Sequence, residues 1–259
     1  MTKTIGKRLP RLEDRDLLRG KARFVDDIHI EGVLHAVFVR SPHAHAKILS
    51  IGKDAALAAP GVRAVLTADD IARYVTTDRL VVALPDRVYK QQRDRPILAK
   101  NETVYVGEPV AIVIADKPYL AEDAAALVEI DYEPLAAVTD CHAALVPGAA
   151  PAHADASSNL LAEFSSGYGD VDAAFAAAAH VFKASISQHR GGSHSIECRG
   201  AVGSIDSEGR LTLWSSTQTP LVGARLLAEI LGRDQASVRV AAPDVGGGFG
   251  PKLVFLSLI

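Results

Sequence analysis

The sequence predicts an α+β protein built from two successive parts, and three observations carry that prediction. Apolar, β-branched runs of strand length recur along the chain. Stretches of helical spacing or helix-forming composition stand between them. Midway lies a stretch in which Pro, Gly, Ala and Ser replace large apolar side chains. With 259 residues, 48% apolar and 23% charged, the chain is long enough for one large or two ordinary domains with a sizeable core.

The elements follow in order. "GVLHAVFVR" (32–40) is an apolar run that reads as a strand covered on both faces and ended by Ser41-Pro42. "ETVYVGEPVAIVIAD" (102–116) is a second strand, with Gly107 and Pro109 marking a bulge or break between its halves. "KPYLAEDAAALV" (117–128) reads as a helix, because Pro118 suits a first turn, Glu122 and Asp123 come early, and Ala124–Leu127 favour helix. In "VEIDYEPL", Val128, Ile130 and Tyr132 alternate with Glu129, Asp131 and Glu133, the period of a half-buried strand. Residues 140–158 then read as a linker. Beyond it, "GDVDAAFAAAAHVFK" predicts a short Ala-rich helix passing into a strand at His180 and Val181. "GAVGSID" and "RLTLWSST" form a hairpin across Ser207-Glu208-Gly209. "PLVGARLLAEILGRD" is a helix with Val222, Leu226, Leu227, Ile230 and Leu231 at helical spacing and Gly232 at its end. "SVRVAAP" is a last strand that runs into "DVGGGFGPK" (244–252).

Several function classes are excluded by composition. A formal net charge of −3 with interspersed signs gives no basic field for nucleic acid and no acidic tail. No apolar run approaches the ~20 residues of a membrane span, and the N-terminus has basic residues without an apolar stretch behind them, so no export signal of the usual kind is expected. Cys141 and Cys198 lie far apart and outside any C-x-x-C pattern, which supports neither a disulfide framework nor a metal ligand set and leaves a reducing cytoplasm as the expected location.

The glycine run is the densest chemical signal. Successive glycines permit positive φ and let a ligand reach backbone N–H groups. The spacing is not that of a P-loop, since Gly250 is followed by Pro251, Lys252 and Leu253, and Pro251 stands where a dinucleotide fingerprint counted from Gly246 needs glycine. Taken alone, the run is either a tight strand-end loop or a cradle for a ligand.

The surrounding text resembles the molybdenum-binding large subunit of the molybdenum hydroxylases, the family of xanthine dehydrogenase, aldehyde oxidase and aerobic carbon monoxide dehydrogenase. "RLEDRDLLRGKARFVDDI", "VRSPHAHAKILSIG", "VYVGEPVAIVIAD", "GDVDAAFAAAAHV", "RGAVGSID", "LWSSTQTP" and "APDVGGGFGPK" follow one another in the family's order and cover almost the whole chain. The resemblance implies an a/b hammerhead domain over residues 1–139, a linker at 140–158 and the start of the molybdopterin-binding domain over 159–259. It implies that Gln218, in "STQTP", matches the family glutamine whose amide hydrogen-bonds an oxo ligand of the metal, and that Gly246, Gly247, Gly248, Phe249 and Gly250 match the segment contacting cofactor and substrate site. A molybdenum-molybdopterin cofactor is thereby expected, with iron–sulfur and FAD sites on partner subunits of the same complex, no nucleic acid and no membrane span.

The chain also departs from the family. After "GFGPK" it reads "LVFLSLI" and ends, whereas relatives continue for several hundred residues; the expectation is a truncated, frame-shifted or split large subunit. The family's catalytic glutamate lies in that later region. Glu163, Glu197 and Glu229 are carboxylates outside the required context, so no catalytic residue and no protein metal ligand is expected here. "SIECRG" has Cys198 where relatives commonly have proline, adding a thiol and a backbone N–H. The function expected is therefore the N-terminal part of an oxidoreductase that, complete, hydroxylates an aldehyde, an N-heterocycle or carbon monoxide with oxygen from water. This chain is expected to be inactive by itself; the alternative is a non-catalytic scaffold or assembly fragment that binds partner subunits.

Other candidates have blander readings. His35, His43 and His45 raise a metal cluster, with a structural histidine as the favoured role. "GGSHS" (191–195) nearly matches a nucleophile elbow around Ser193, with His189 and His194 nearby, but ends in Ser195 rather than glycine. Trp214 alternates with Leu211 and Leu213 as sheet packing, Glu102, Glu108 and the acids at 129, 131 and 133 line a solvated edge, and Lys252 is a surface lysine or a partner for a cofactor phosphate.

Overall fold

Residues 5–80, 89–91, 93–188 and 191–253 are described in the computed structural model. Two units divide the chain, and they are not consecutive in sequence: one joins Met1–Val33 to Ser193–Ile259, and the other is Leu34–Gly192. The expected division at 139 and 159 follows the chain, whereas these units follow packing.

The short helix α1 (Asp14–Leu17) opens the chain. In the unit Leu34–Gly192 the elements are β1 (His35–Arg40), β2 (Ala46–Gly52), α2 (Asp54–Leu57), β3 (Val62–Thr67), α3 (Ala68–Ile71), β4 (Arg79–Leu80), β5 (Arg95–Pro96), β6 (Glu102–Thr103), β7 (Pro109–Ala115), α4 (Pro118–Ala125), β8 (Glu129–Pro134) and α5 (Val171–Ala177). Strand β7 is central in an antiparallel sheet of order β1-β7-β3, and β2 is central in a second, β6-β2-β8. The sequence "PVAIVIA" explains the first: with a strand on either side, Val110, Ala111, Val113 and Ala115 lose all contact with solvent. Val113 packs with Ala56 of α2, Val65 of β3, Ala124 of α4 and Val128, the small alanines letting both helices approach the sheet closely. The expected break lies at Gly107, at φ +90, but its halves are separate strands in different sheets: β6 pairs with β2, and β7, starting at Pro109, with β1 and β3.

Two expectations are corrected here, at β1 and after α5, and the segment between the two expected domains is more tied down than its composition suggests. β1 is an edge strand paired only with β7 among the described residues and has no fully buried residue, so its faces are not both covered. Residues 140–158 are pinned rather than loose: Asn159 donates to the carbonyls of Ala144 and Ala150 and accepts from Ala152 N–H, Arg93 pairs with Asp155, and Glu102 meets His153 and Ala154. Helix α5 forms with Asp170 capping Ala173 N–H, but no strand follows at His180, because no described strand lies alongside to share hydrogen bonds; Phe182 and Ile186 are both 91% exposed.

In the other unit, β9 (Ala201–Ile205) and β10 (Leu211–Ser215) form the expected hairpin, closed by Gly209 at φ +79 and by Asp206, which accepts from the N–H groups of Glu208 and Arg210. Helix α6 (Pro220–Ile230) crosses over to β11 (Val238–Ala241), which pairs parallel with β10. Leu226, Leu227 and Ile230 form its buried stripe, and Gly232, at φ +59, follows its cap. Trp214 stands opposite Val202 and Ala241 in the middle strand, which is the sheet-packing role expected of it.

Candidate cofactor-binding site

Sheet topology assembles the site. Because β10 and β11 are parallel, their C-terminal ends lie at one edge, and because β9 runs antiparallel, the residues preceding it arrive at that same edge. Three segments distant in sequence therefore meet: Ser195–Glu197 before β9, Ser216–Gln218 after β10, and the glycine run after β11. Glu197 N–H donates to Gly246 O at 3.3 Å, Ser216 N–H to Gly200 O at 3.1 Å, and Gln218 N–H to Lys252 O at 2.9 Å, so the three segments are stitched by backbone.

The glycines are required by how close these segments lie. A Cβ on Gly246 would stand 2.5 Å from Glu197 Cβ; one on Gly248 would stand 2.6 Å from Gln218 Cδ and Oε1; one on Gly247 would stand 2.8 Å from the Phe249 ring, and Gly247 itself sits at φ +99. Gly250, at φ +97, faces open space. Phe249 is the one described residue other than glycine at positive φ (+51), and its ring is 70% exposed. A bulky side chain held in the left-handed region beside an open face is strain of the kind that collects at ligand sites.

Gln218 is exposed and oriented. Its Oε1 accepts from Gly250 N–H at 3.1 Å, which leaves its Nε2 group as a donor with no partner among the described residues. The N–H groups of Gly247, Gly248 and Phe249 likewise have none among the described residues. The site thus offers bare backbone donors and one neutral amide donor, a set that suits a large group rich in acceptor atoms such as a phosphate-bearing pterin. The residues at Gln218 and 246–250 fit the molybdopterin group on this ground.

Beneath the loop lies a cluster that sequence reasoning missed. Lys252 is 1% exposed and its Nζ donates to Glu197 Oε2 at 2.7 Å, so it is neither a surface lysine nor free to meet a phosphate. The same oxygen accepts from Ser216 Oγ at 2.5 Å and from Gly246 N–H at 2.8 Å, while Glu197 Oε1 is buried with no partner among the described residues. Burial works against the charge on Glu197, but the bonds from Lys252, Ser216 and Gly246 outweigh it and hold the carboxyl below its ordinary 4.5. Nothing local in "SIECRG" or "GPK" announces the pair; only the β9–β10–β11 topology brings them together.

The remaining candidates do not join the site. His45 is buried, with Nδ1–H donating to Ala136 O at 2.8 Å and Nε2 3.4 Å from Glu102, while His43 lies edge-on to Tyr132. No three His, Cys, Asp or Glu residues group as metal ligands among the described residues. His189 lies outside the described residues, and Ser195 Oγ donates to the Glu197 carbonyl. Glu108 is 2% exposed and bonded to Val104 N–H at 2.6 Å, so it does not belong to a solvated edge. Cys141 and Cys198 are exposed and unpaired.

With the fold and the glycine-walled site described, comparison with known proteins identifies the class. Residues 19–136 match the description "Aldehyde oxidase and xanthine dehydrogenase, a/b hammerhead domain", and residues 152–259 match "Molybdopterin cofactor-binding domain". The chain belongs to the aldehyde oxidase and xanthine dehydrogenase family of molybdenum hydroxylase large subunits. It is 40% identical over 249 residues to the nicotine 6-hydroxylase large subunit of Paenarthrobacter nicotinovorans, covering 96% of this chain and 30% of the relative. Identity is 36% over 267 residues to the carbon monoxide dehydrogenase large chain of Afipia carboxidovorans, covering 96% and 32% respectively. The crystal structure of quinoline 2-oxidoreductase from Pseudomonas putida 86 superposes with a TM-score of 0.87 at 35% identity, over 99% of this chain and 33% of that one. The chain thus spans about a third of the length of these relatives. No described helix is long and apolar enough to cross a membrane.

Proposed function

We propose that this chain supplies the hammerhead domain and one wall of the cofactor cradle of a molybdenum hydroxylase, a cytoplasmic oxidoreductase complex with iron–sulfur and FAD subunits. Bound there, a molybdenum-pterin centre supplies Lewis-acid and electron-accepting chemistry for hydroxylating an aldehyde, an N-heterocycle or carbon monoxide. The observation that carries the reading is Gln218: its oxygen is held by Gly250 N–H, and its NH2 group is left as a neutral, oriented donor beside an open glycine backbone. In this reading Gly246, Gly247, Gly248 and Gly250 admit the pterin to the backbone, Phe249 borders the reacting end, and Gln218 orients the bound group without competing as a ligand. Neither Glu197, committed to three donors, nor Glu163, a surface partner of Lys90, is offered here as the group that takes a proton from substrate. In this reading turnover is assigned to the complex and not to this chain by itself.

The test is molybdenum and released-pterin content of the chain purified alone and after co-expression with neighbouring subunit genes. Near-stoichiometric pterin in either sample supports the cradle; pterin at background in both removes it. A second reading, an assembly module, is favoured by the exposed Phe164, Tyr168, Phe182 and Ile186, which are 80%, 99%, 91% and 91% accessible. Co-purification of iron–sulfur or flavin subunits without pterin would select it.

A further inference from the structure

We propose that Glu197 is a positioning residue: a single carboxylate oxygen fastens both ends of the glycine loop and thereby aims the Gln218 amide. The inference deepens the cofactor reading above. A segment with glycine at 246, 247, 248 and 250 has little conformational preference of its own, so its shape comes from what ties it down. At its start, Gly246 N–H donates to Glu197 Oε2 (2.8 Å); at its end, Lys252 Nζ donates to the same atom (2.7 Å). Ser216 Oγ, two residues before Gln218, donates to it as well (2.5 Å).

One atom therefore sets the separation of three points: the loop's entry, the loop's exit and the segment carrying Gln218. Between them the middle of the loop is held by Gly250 N–H on Gln218 Oε1 (3.1 Å), and the exit is held again by Thr217 Oγ1 and Gln218 N–H on Lys252 O. If the ends move, Gly250 leaves Gln218, and the amide loses the bond that fixes its direction. Glu197 Oε1 takes no share among the described residues, so the three bonds rest on the other oxygen.

An amide at this position fails for a definite reason. Glutamine keeps one oxygen but no charge, so Lys252, 1% exposed, would be left without a counter-charge. Aspartate keeps the charge but is one methylene short of a network whose bonds already measure 2.5–2.8 Å. Both should release the loop.

The test uses the 259-residue chain and three variants: Glu197→Gln, Glu197→Asp, and the double variant Glu197→Gln with Lys252→Met, which also removes the buried cation. Amide hydrogen exchange at Gly250 and the side-chain NH2 resonances of Gln218 are read without cofactor. Exchange at Gly250 is expected to rise about tenfold in all three, the factor carried by roughly one net hydrogen bond, with the Gln218 signals averaging. Pterin retained after co-expression is expected to fall at least about tenfold. The double variant separates aim from fold, because it should regain thermal stability and still lose the fixed amide. Unchanged Gly250 exchange in Glu197→Gln, or recovery of both stability and Gln218 order in the double variant, would overturn the proposal. Pterin at background in the unmutated chain would defeat the cofactor reading while leaving the exchange result to decide on Glu197.

Discussion

Gly248→Ala should damage the site while sparing the fold. The three nearest atoms to a Cβ built on Gly248 all belong to Gln218: Cδ and Oε1 at 2.6 Å and Cγ at 2.7 Å. Non-bonded carbon contacts settle at about 3.5–4.0 Å, so the side chain must retreat by roughly 1 Å. Gly248 is not in the left-handed region, so alanine adds no backbone strain, and Gln218 is an exposed, flexible side chain free to swing away. The stability cost is then the lost Gly250–Gln218 bond, about 0.5–1.5 kcal/mol, offset in part by about 0.4–1 kcal/mol from the stiffer unfolded chain. The net effect is under about 1 kcal/mol. Pterin retention, by contrast, should drop ~10–100-fold, the usual loss for a displaced outer-sphere partner. Urea denaturation of the purified chain and pterin fluorescence after co-expression measure the two sides. Destabilisation beyond about 3 kcal/mol, or full pterin content with the variant folded, would refute the reasoning.

Lys252→Met should destabilise its unit by about 2–3 kcal/mol, below the ~3–5 of a fully buried pair because Glu197 keeps two donors; pairing it with Glu197→Met should recover part of the loss, and strictly additive losses in denaturation would argue against a coupled pair. Asp70 is held at about 2, against its ordinary 3.8, by Lys53 and the Thr67 N–H against an opposing effect of burial. Its contribution is therefore present above pH ~4 and lost as pH falls towards ~2; partial exposure limits it to about 1 kcal/mol, and Asp70→Asn should flatten the acid limb of a stability–pH curve. Burial pushes Glu108 above its ordinary 4.5, outweighing the Val104 N–H bond, so its charge costs stability as pH rises past that range. Glu108→Gln, whose oxygen can still accept from Val104, should be more stable at neutral pH by up to about 1 kcal/mol in thermal melts, and equal or lower stability there would contradict this sign.

What was legible in the sequence was what local pattern determines. Period-two alternation gave β8, a proline at the first turn gave α4, the Ser207-Glu208-Gly209 turn gave the β9–β10 hairpin, and the apolar spacing of α6 gave Leu226, Leu227 and Ile230 of its buried face, though Val222 is 40% exposed. Gln218 and the glycine run were singled out through resemblance, because their motifs are contiguous, and the fold brings them together. Burial of charge was not. Lys252 follows Pro251 in a polar-looking turn, and Glu197 sits between an exposed Ile196 and an exposed Cys198; only their meeting across 55 positions makes one bury the other. The contacts of residues 140–158 were hidden for a similar reason, since Asn159 and Glu102 supply partners that composition does not announce.

The closed pair also bears on how such a loop selects its ligand. Were the Lys252 charge open to the site, any anion would be drawn to the glycine backbone, and attraction would fall off slowly with distance and little with orientation. Neutralised at 2.7 Å by Glu197 and sealed from solvent, it adds almost no net field above the loop. In the proposed reading recognition is left to N–H groups and an amide, whose strength depends on alignment as well as distance. Such donors discriminate only if they are held still, and a glycine-rich backbone cannot hold itself. The buried carboxylate and the bare backbone are two halves of one requirement: the glycines open the approach, and Glu197 keeps the opened surface in a single shape.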